Sequence, residues 1–314
     1  MQCEKCAEFR EITLHLHELY MVCDLLENKR PVYRFHKNKL SETRSAETTN
    51  IAKWLKLASQ LESVSLNAFQ YEDSHFWCKP IGDELDSDAA HHSSIITPLT
   101  RFIFISNALE ETYRFISEIY EERYKEILNL KPKQERKRTY SGQITWLMDM
   151  FESDFRKPRH YEHKVELYRK HLVEYERIFN GHFDVSLKDC NKLSYGLSLV
   201  RNIRNHIAHA VFPIVDNPEY SGESLSLEIR NLVIRTLLHS ARIATLNIQM
   251  ILSFSAYGFE SPSYHYLCAE PELGKLYKKS ISFEYLNNLH ITQFFALNDG
   301  NQMNLIRSLE EDAF

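Results

Sequence analysis

Glycine is scarce: the 314 residues include 8 of them, far below the usual share. The 9 prolines fall mostly between segments of regular apolar spacing. Both shortages disfavour a turn-dense architecture and favour helices. Cysteine is also sparse, at positions 3, 6, 23, 78, 190 and 268, which is unlike a disulfide framework. No apolar run is long enough to span a bilayer and no signal peptide is evident, so the expectation is a soluble, cytoplasmic protein without a membrane partner. There is no excess of positive charge either. A formal net charge of −5 argues against a surface coated in basic patches for indiscriminate nucleic-acid binding, while leaving room for a local basic cleft. Internal repeats and low-complexity tracts are missing. So are the phosphate-binding Gly-x4-Gly-Lys-Ser/Thr loop, the Gly-x-Gly-x-x-Gly fingerprint, the His-Glu-x-x-His helix and the Gly-x-Ser-x-Gly elbow.

What the chain does contain is apolar residues at alternating steps of three and four, the mark of amphipathic helices. Phe9, Ile12, Leu16, Leu19, Cys23 and Leu26 form the first stripe, and Ile51, Trp54, Ala58, Leu61, Ser65 and Ala68 the second. Residues 28–50 lose the periodicity and read as a connection. Cys3 and Cys6 form a lone Cys-x-x-Cys, followed by His15, His17 and Cys23, so zinc comes to mind. Because Cys23 lies in the apolar seam and no second pair follows, no metal ligands are assigned, and the two histidines read as a solvent-facing edge. Glu72 to Ser94, with Asp83, Glu84, Asp86, Asp88 and the pair His91-His92, reads as an acidic linker.

Thr97-Pro98 then reads as a helix start, with Leu99, Phe102, Ser106, Leu109, Tyr113, Ile116 and Tyr120 as its stripe. Two basic runs, 130–138 and 156–160, are candidates to guide a phosphate backbone. Ile144 to Phe155 marks a short helix, and Val165 to Phe179 a longer one stopped by Asn180-Gly181. Ser186 is a plausible cap for the next helix. After Pro213 comes a turn-rich loop to Gly222, read as mobile, then a long apolar helix through Ile229, Val233, Leu237, Ala241, Ala244, Ile248 and Ile251. The expected fold is all-α: a helical N-terminal region and linker at 1–94, a helical bundle at 95–257, and a small mixed segment of unknown role at 258–314.

One stretch of this bundle is chemically unusual. Arg201-Asn202-Ile203-Arg204-Asn205-His206-Ile207-Ala208-His209-Ala210 interrupts a helix that otherwise looks buried, where unpaired charge is costly. At about 100° per residue, Arg201, Asn205 and His209 form one column. Arg204 and His209 are not stacked, and meet at a common ligand only if the guanidinium swings across or the helix loosens near Pro213. Imidazole moves protons near neutral pH, guanidinium grips phosphate oxygens, and carboxamide orients either. RNA carries its own nucleophile in the ribose 2′-hydroxyl, so this set suits phosphodiester cleavage without requiring a metal.

Arg204-Asn205-His206-Ile207-Ala208-His209 resembles the Arg-(polar)-x3-His signature of the HEPN superfamily. The resemblance implies a helical bundle with the motif on a late helix. It also implies a metal-independent endoribonuclease of the toxin or abortive-infection, antiviral-defence type, leaving a 2′,3′-cyclic phosphate. By the same likeness Arg204, Asn205 and His209 are the catalytic set, two copies form a homodimer around one cleft, and Asn107 or Glu110 from an early helix is a candidate addition. Arg201-Asn202-Ile203-Arg204-Asn205-His206 fits the pattern too. The later register is preferred, with Arg201 and His206 as RNA contacts and an antitoxin or other regulatory protein as a possible partner. No cofactor is expected. Two further readings are a non-catalytic module that binds RNA, nucleotide or protein, and a scaffold in which the cluster is a buried polar network.

Overall fold

The apolar stripes become helices, except that the second ends at Gln60, where the chain turns extended at Leu61 and leaves Ser65 and Ala68 outside it. The computed structural model describes residues 3–25, 30–36, 39–73, 76–123, 139–179, 189–220, 226–255 and 283–291. In order these contain α1 (Glu4–Ala7), α2 (Ile12–Leu25), strands β1 (Arg30–His36) and β2 (Lys39–Ala46), and α3 (Thr49–Gln60). The long α4 (Lys79–Arg123) is followed by α5 (Tyr140–Met150), α6 (Tyr161–Phe179), α7 (Tyr195–Ala208), α8 (Ser226–Ser255) and α9 (Phe283–Asn288). The architecture is an all-α bundle carrying one antiparallel hairpin between α2 and α3, with a register irregularity at Val32/Tyr33. That hairpin corrects the reading of 28–50 as a bare connection.

α8 is the axis of the bundle. It packs against α2, α4, α6, α7 and α9, and from Ile243 to Phe254 it is buried on all sides, the signature of a central helix. Most of its buried polar residues do not disrupt that core, because they return their bonds to the helix. Thr236, Ser240, Thr245 and Ser253 each donate to the carbonyl four residues earlier at 2.7–2.8 Å. Ser240 also meets the Tyr168 hydroxyl at 2.6 Å, and Asn247 accepts from the Tyr161 hydroxyl at 3.1 Å. Thus α6 is fixed to α8 by two tyrosines that bury a ring and still satisfy their O–H groups. A β-carbon added at Gly196 in α7 would lie 2.6 Å from the Tyr161 oxygen and 2.9 Å from Val165, so α7 approaches α6 more closely than a side chain there would allow.

Helix α4 departs from expectation. It begins at Lys79 and takes in both the greater part of the supposed acidic linker, from Lys79 to Ser94, and Pro98. Pro98 lies inside the helix, and Thr97 accepts from the Val64 amide at 2.9 Å while donating to the Ser93 carbonyl at 2.8 Å. The first half of α4 buries little apart from His91, Ile95 and Pro98. Polar contacts secure it instead: His91 Nε2 meets the Val215 carbonyl at 2.7 Å, and Asn217 donates to Asp88 at 2.8 Å and Ser87 at 3.0 Å. The turn-rich loop expected to be mobile is therefore tied to α4 through Val215 and Asn217.

Histidine placement also differs. His15 is fully buried rather than solvent-facing. Its Nε2 is 2.7 Å from Gln249 Oε1, its Nδ1 accepts from Arg242 at 3.1 Å, and Gln249 Nε2 continues to His290 Nδ1 at 3.1 Å. His290 Nε2 then donates to the Arg159 carbonyl at 2.9 Å. This relay ties α2, α8, the residues after α9 and the start of α6 into one unit. Burial and the neighbouring Arg242 charge hold His15 well below the ordinary imidazole pKa and bring His290 down to about 4. No described helix is long and apolar enough to cross a membrane.

Candidate functional site

α7 buries Leu197, Leu199, Val200 and Ile203 against the bundle, which leaves its polar residues on the rim and at its C-terminal end. The helix closes there in a defined way. The Ala210 amide donates to the Ile207 carbonyl at 3.1 Å and the Val211 amide to the His206 carbonyl at 2.8 Å, the paired bonds of a Schellman stop. Ala210 takes the left-handed position with φ 54, where glycine is usual. His209 is the cap residue itself. The helix end is therefore closed just before Pro213, and of the two routes to convergence, a loosened helix end is not the one the fold takes.

Each residue of the motif can now be placed. Asn205 and His209 are exposed, and neither side chain has a bonding partner among the described residues. Arg204, 41% exposed, directs its guanidinium to Glu110 of α4, with Nη1 at 3.2 Å from Oε1. Of the two early-helix candidates, Glu110 is the one that meets the motif. Arg201 is half-buried and donates weakly to Ser198 at 3.5 Å. His206 turns inward, its ring 6.4 Å from that of Tyr175, which also stacks near Phe212 at 6.0 Å. Tyr113, buried between Glu110, Arg201 and Arg204, has its hydroxyl pKa raised, first by burial and then by the Glu110 charge.

The arrangement is thus an open imidazole and carboxamide on one column and a guanidinium held by a carboxylate on another, about 140° away around the helix. Arg204 and His209 do not converge through the backbone; a ligand would have to draw Arg204 away from Glu110. Because Arg204 reaches solvent, the reading of the cluster as a buried polar network does not hold for it. The basic run 156–160 is also engaged elsewhere: Lys157 pairs with Glu152 at 2.8 Å and Glu162 at 2.9 Å, and Glu8 pairs with both Arg159 and His160 at 3.1 Å. The other run, 130–138, and Ser186 lie outside the described residues; the motif helix starts at Tyr195 after Ser194. A cleft of about 260 Å³ lined by Lys157, Glu166, Cys190, Lys192 and Tyr195 sits at the N-terminal end of α7, roughly 20 Å from its C-terminal end.

A second cluster was visible in the sequence only in part, as the Cys3-x-x-Cys6 pair without its true partner. Cys3 and Cys6 meet His163, from the first turn of α6, at Sγ–Nε2 distances of 3.1 and 3.8 Å. The partners weighed for that Cys-x-x-Cys are elsewhere: His15 is in the buried relay and Cys23 is in the core, its thiol pKa raised by burial. No spacing rule links residues 157 positions apart. Comparison with known protein families, with curated proteins and with solved structures gives no match for this chain.

Proposed function

We propose that this chain is a HEPN-like, metal-independent endoribonuclease acting through the end of α7. His209 serves as general base or acid toward the ribose 2′-hydroxyl or the leaving oxygen, Arg204 neutralises the scissile phosphate, and Asn205 orients one of them. The product ends are a 2′,3′-cyclic phosphate and a 5′-hydroxyl. The observation carrying this reading is the closed, solvent-facing helix end that presents His209 and Asn205 with Arg204 within one turn and a half. Glu110 acts as a positioning residue: it holds Arg204 at the surface until a phosphate competes for the guanidinium. Arg201 extends the contact to flanking nucleotides, whereas His206, turned inward toward Tyr175, would have to swing out to do the same. One arginine and one histidine per chain make a sparse site, and a two-fold homodimer would double them. A role as toxin or antiviral effector, restrained by an antitoxin or regulatory protein, follows from the same likeness.

The test is incubation of the pure protein with total RNA and with a tRNA pool. Fragments with cyclic-phosphate ends, undiminished in EDTA, are expected from the wild type. Loss of roughly 10²-fold or more is expected from His209→Ala and from Arg204→Ala, with melting temperatures little changed because both side chains are exposed. Full activity in either variant removes that residue from the mechanism. The Arg204–Glu110 pair favours one second reading, a non-catalytic RNA-binding module in which the guanidinium only exchanges carboxylate for phosphate; RNA retention without fragments would select it.

A further inference from the structure

The N-terminal cluster carries an inference independent of RNA chemistry. Cys3 and Cys6 face the same side because the Cys3 carbonyl accepts from the Cys6 amide at 2.9 Å and the Ala7 amide at 3.0 Å, curling the chain into one turn. Their sulfurs and His163 Nε2 all lie within 4.8 Å of one another. Tetrahedral zinc, with bonds of about 2.0–2.3 Å, requires ligand atoms roughly 3.5–3.8 Å apart. The two sulfur–nitrogen distances of 3.1 and 3.8 Å bracket that spacing. Both cysteines are free thiols, and two thiolates with an imidazole form a soft donor set that suits zinc. Cys3 is exposed while Cys6 and His163 are half-buried, so an ion can enter and a fourth position faces water.

We propose that Cys3, Cys6 and His163 bind a zinc ion that fastens the N-terminal segment to the first turn of α6. The surroundings fit a fastening role. Glu8 pairs with Arg159 and His160 at 3.1 Å, Lys164 lies 4.6 Å over the Phe9 ring, and Phe9 bridges to Ile291. An ion here adds a coordinate link to a docking otherwise made of the Glu8 ion pairs, the packing of the Phe9 ring and the backbone bonds of Arg10 to His290 and Arg242, and it closes a loop of more than 150 residues, as a disulfide would. The site is distinct from the end of α7: His163 and Tyr175, which touches the motif helix, are separated by about 18 Å along α6.

Metal analysis of the full chain, purified in reducing buffer without a histidine tag, is expected to find about one zinc per chain. After chelation, titration with cobalt(II) is expected to give thiolate charge-transfer absorption and tetrahedral d–d bands. Cys3→Ser, Cys6→Ser and His163→Gln should each lose the zinc and the cobalt spectrum, while Cys190→Ser keeps both. Zinc removal should also speed proteolytic release of the N-terminal segment. Circular dichroism shows whether each variant is folded, and the cobalt titration of unmodified protein stands if one is not. Zinc far below one per chain, cobalt spectra without thiolate bands, or a Cys3–Cys6 disulfide that persists in reducing buffer would each overturn the assignment.

Discussion

At the junction of α2, α8 and α9, His15, Gln249, His290 and Arg242 pass hydrogen bonds from one to the next largely away from water. At the end of α7, Arg204, Asn205 and His209 offer the same three functional groups to solvent. In the first region every nitrogen and oxygen used has a protein partner and the rings are locked as neutral Nε2–H tautomers. In the second, a single ion pair holds one side chain and the other two await a partner. Composition is the same in kind; what separates structure from chemistry is whether the partners are already supplied.

The sharpest way to break that comparison is to remove one carboxamide from each region. Gln249→Leu leaves His15 Nε2–H, His290 Nδ1 and the Leu286 carbonyl, which Gln249 holds at 2.8 Å, without partners in a buried site. A loss of roughly 3–5 kcal/mol is expected at neutral pH. Asn205→Ala should change stability by no more than about 0.5 kcal/mol. Urea denaturation of both proteins measures the difference, and equal effects would show that the relay is not what locks α2 and α9 to α8.

These two regions also mark how far the sequence could be read. Apolar spacing located α2, α5, α6 and α8 closely, because each buries a continuous stripe such as Leu16, Leu19 and Cys23 or Leu237, Ala244 and Ile251, but it carried α3 on to Ala68 although the helix stops at Gln60. It missed the first half of α4, where hydrogen bonds from His91 and Asn217 replace apolar burial. It set His15 at the surface because a histidine's partners, here Arg242 and Gln249, lie more than 200 positions away. The polar stretch at 201–209 stood out from local contrast alone, yet its closest tie, Glu110, was one of two candidates that spacing could not separate. Of the Cys3–Cys6–His163 cluster the Cys-x-x-Cys pair is local and was legible, while His163, some 160 positions away, joins it only through the tertiary fold.

Acid should strip the relay next. The imidazole of His290 binds its proton only near pH 4 in the folded chain, because of burial and the Arg242 charge, but near pH 6.5 when unfolded. For a base with a depressed folded pKa, stability is complete above pH 6.5 and declines as the pH falls toward about 4, because the unfolded state takes the proton first. The full decline from this one residue is on the order of 3 kcal/mol. His239, brought down to about 3 by burial and by His171, extends the same trend to lower pH. Stability measured between pH 6.5 and 4.5 should therefore fall steadily, and His290→Gln should flatten the slope by about one proton even though it lowers stability at neutral pH. An unchanged slope would mean that His290 is not held neutral by its surroundings.

The smallest effect tests whether the exposed region is as rigid as its hydrogen bonds imply. Ala210 stands at φ 54 after the α7 cap, a conformation that costs a side-chain-bearing residue about 1–2 kcal/mol and glycine almost nothing. Since glycine also loses more freedom on folding, Ala210→Gly should stabilise the protein by roughly 0.5–1 kcal/mol, read as a higher denaturant midpoint with an unchanged slope. A lower midpoint would mean that the left-handed closure is not kept in solution, so that the helix end frays and His209 has no fixed position from which to act. A higher one would establish that the open cluster, though short of partners, is fixed by its backbone before any ligand arrives.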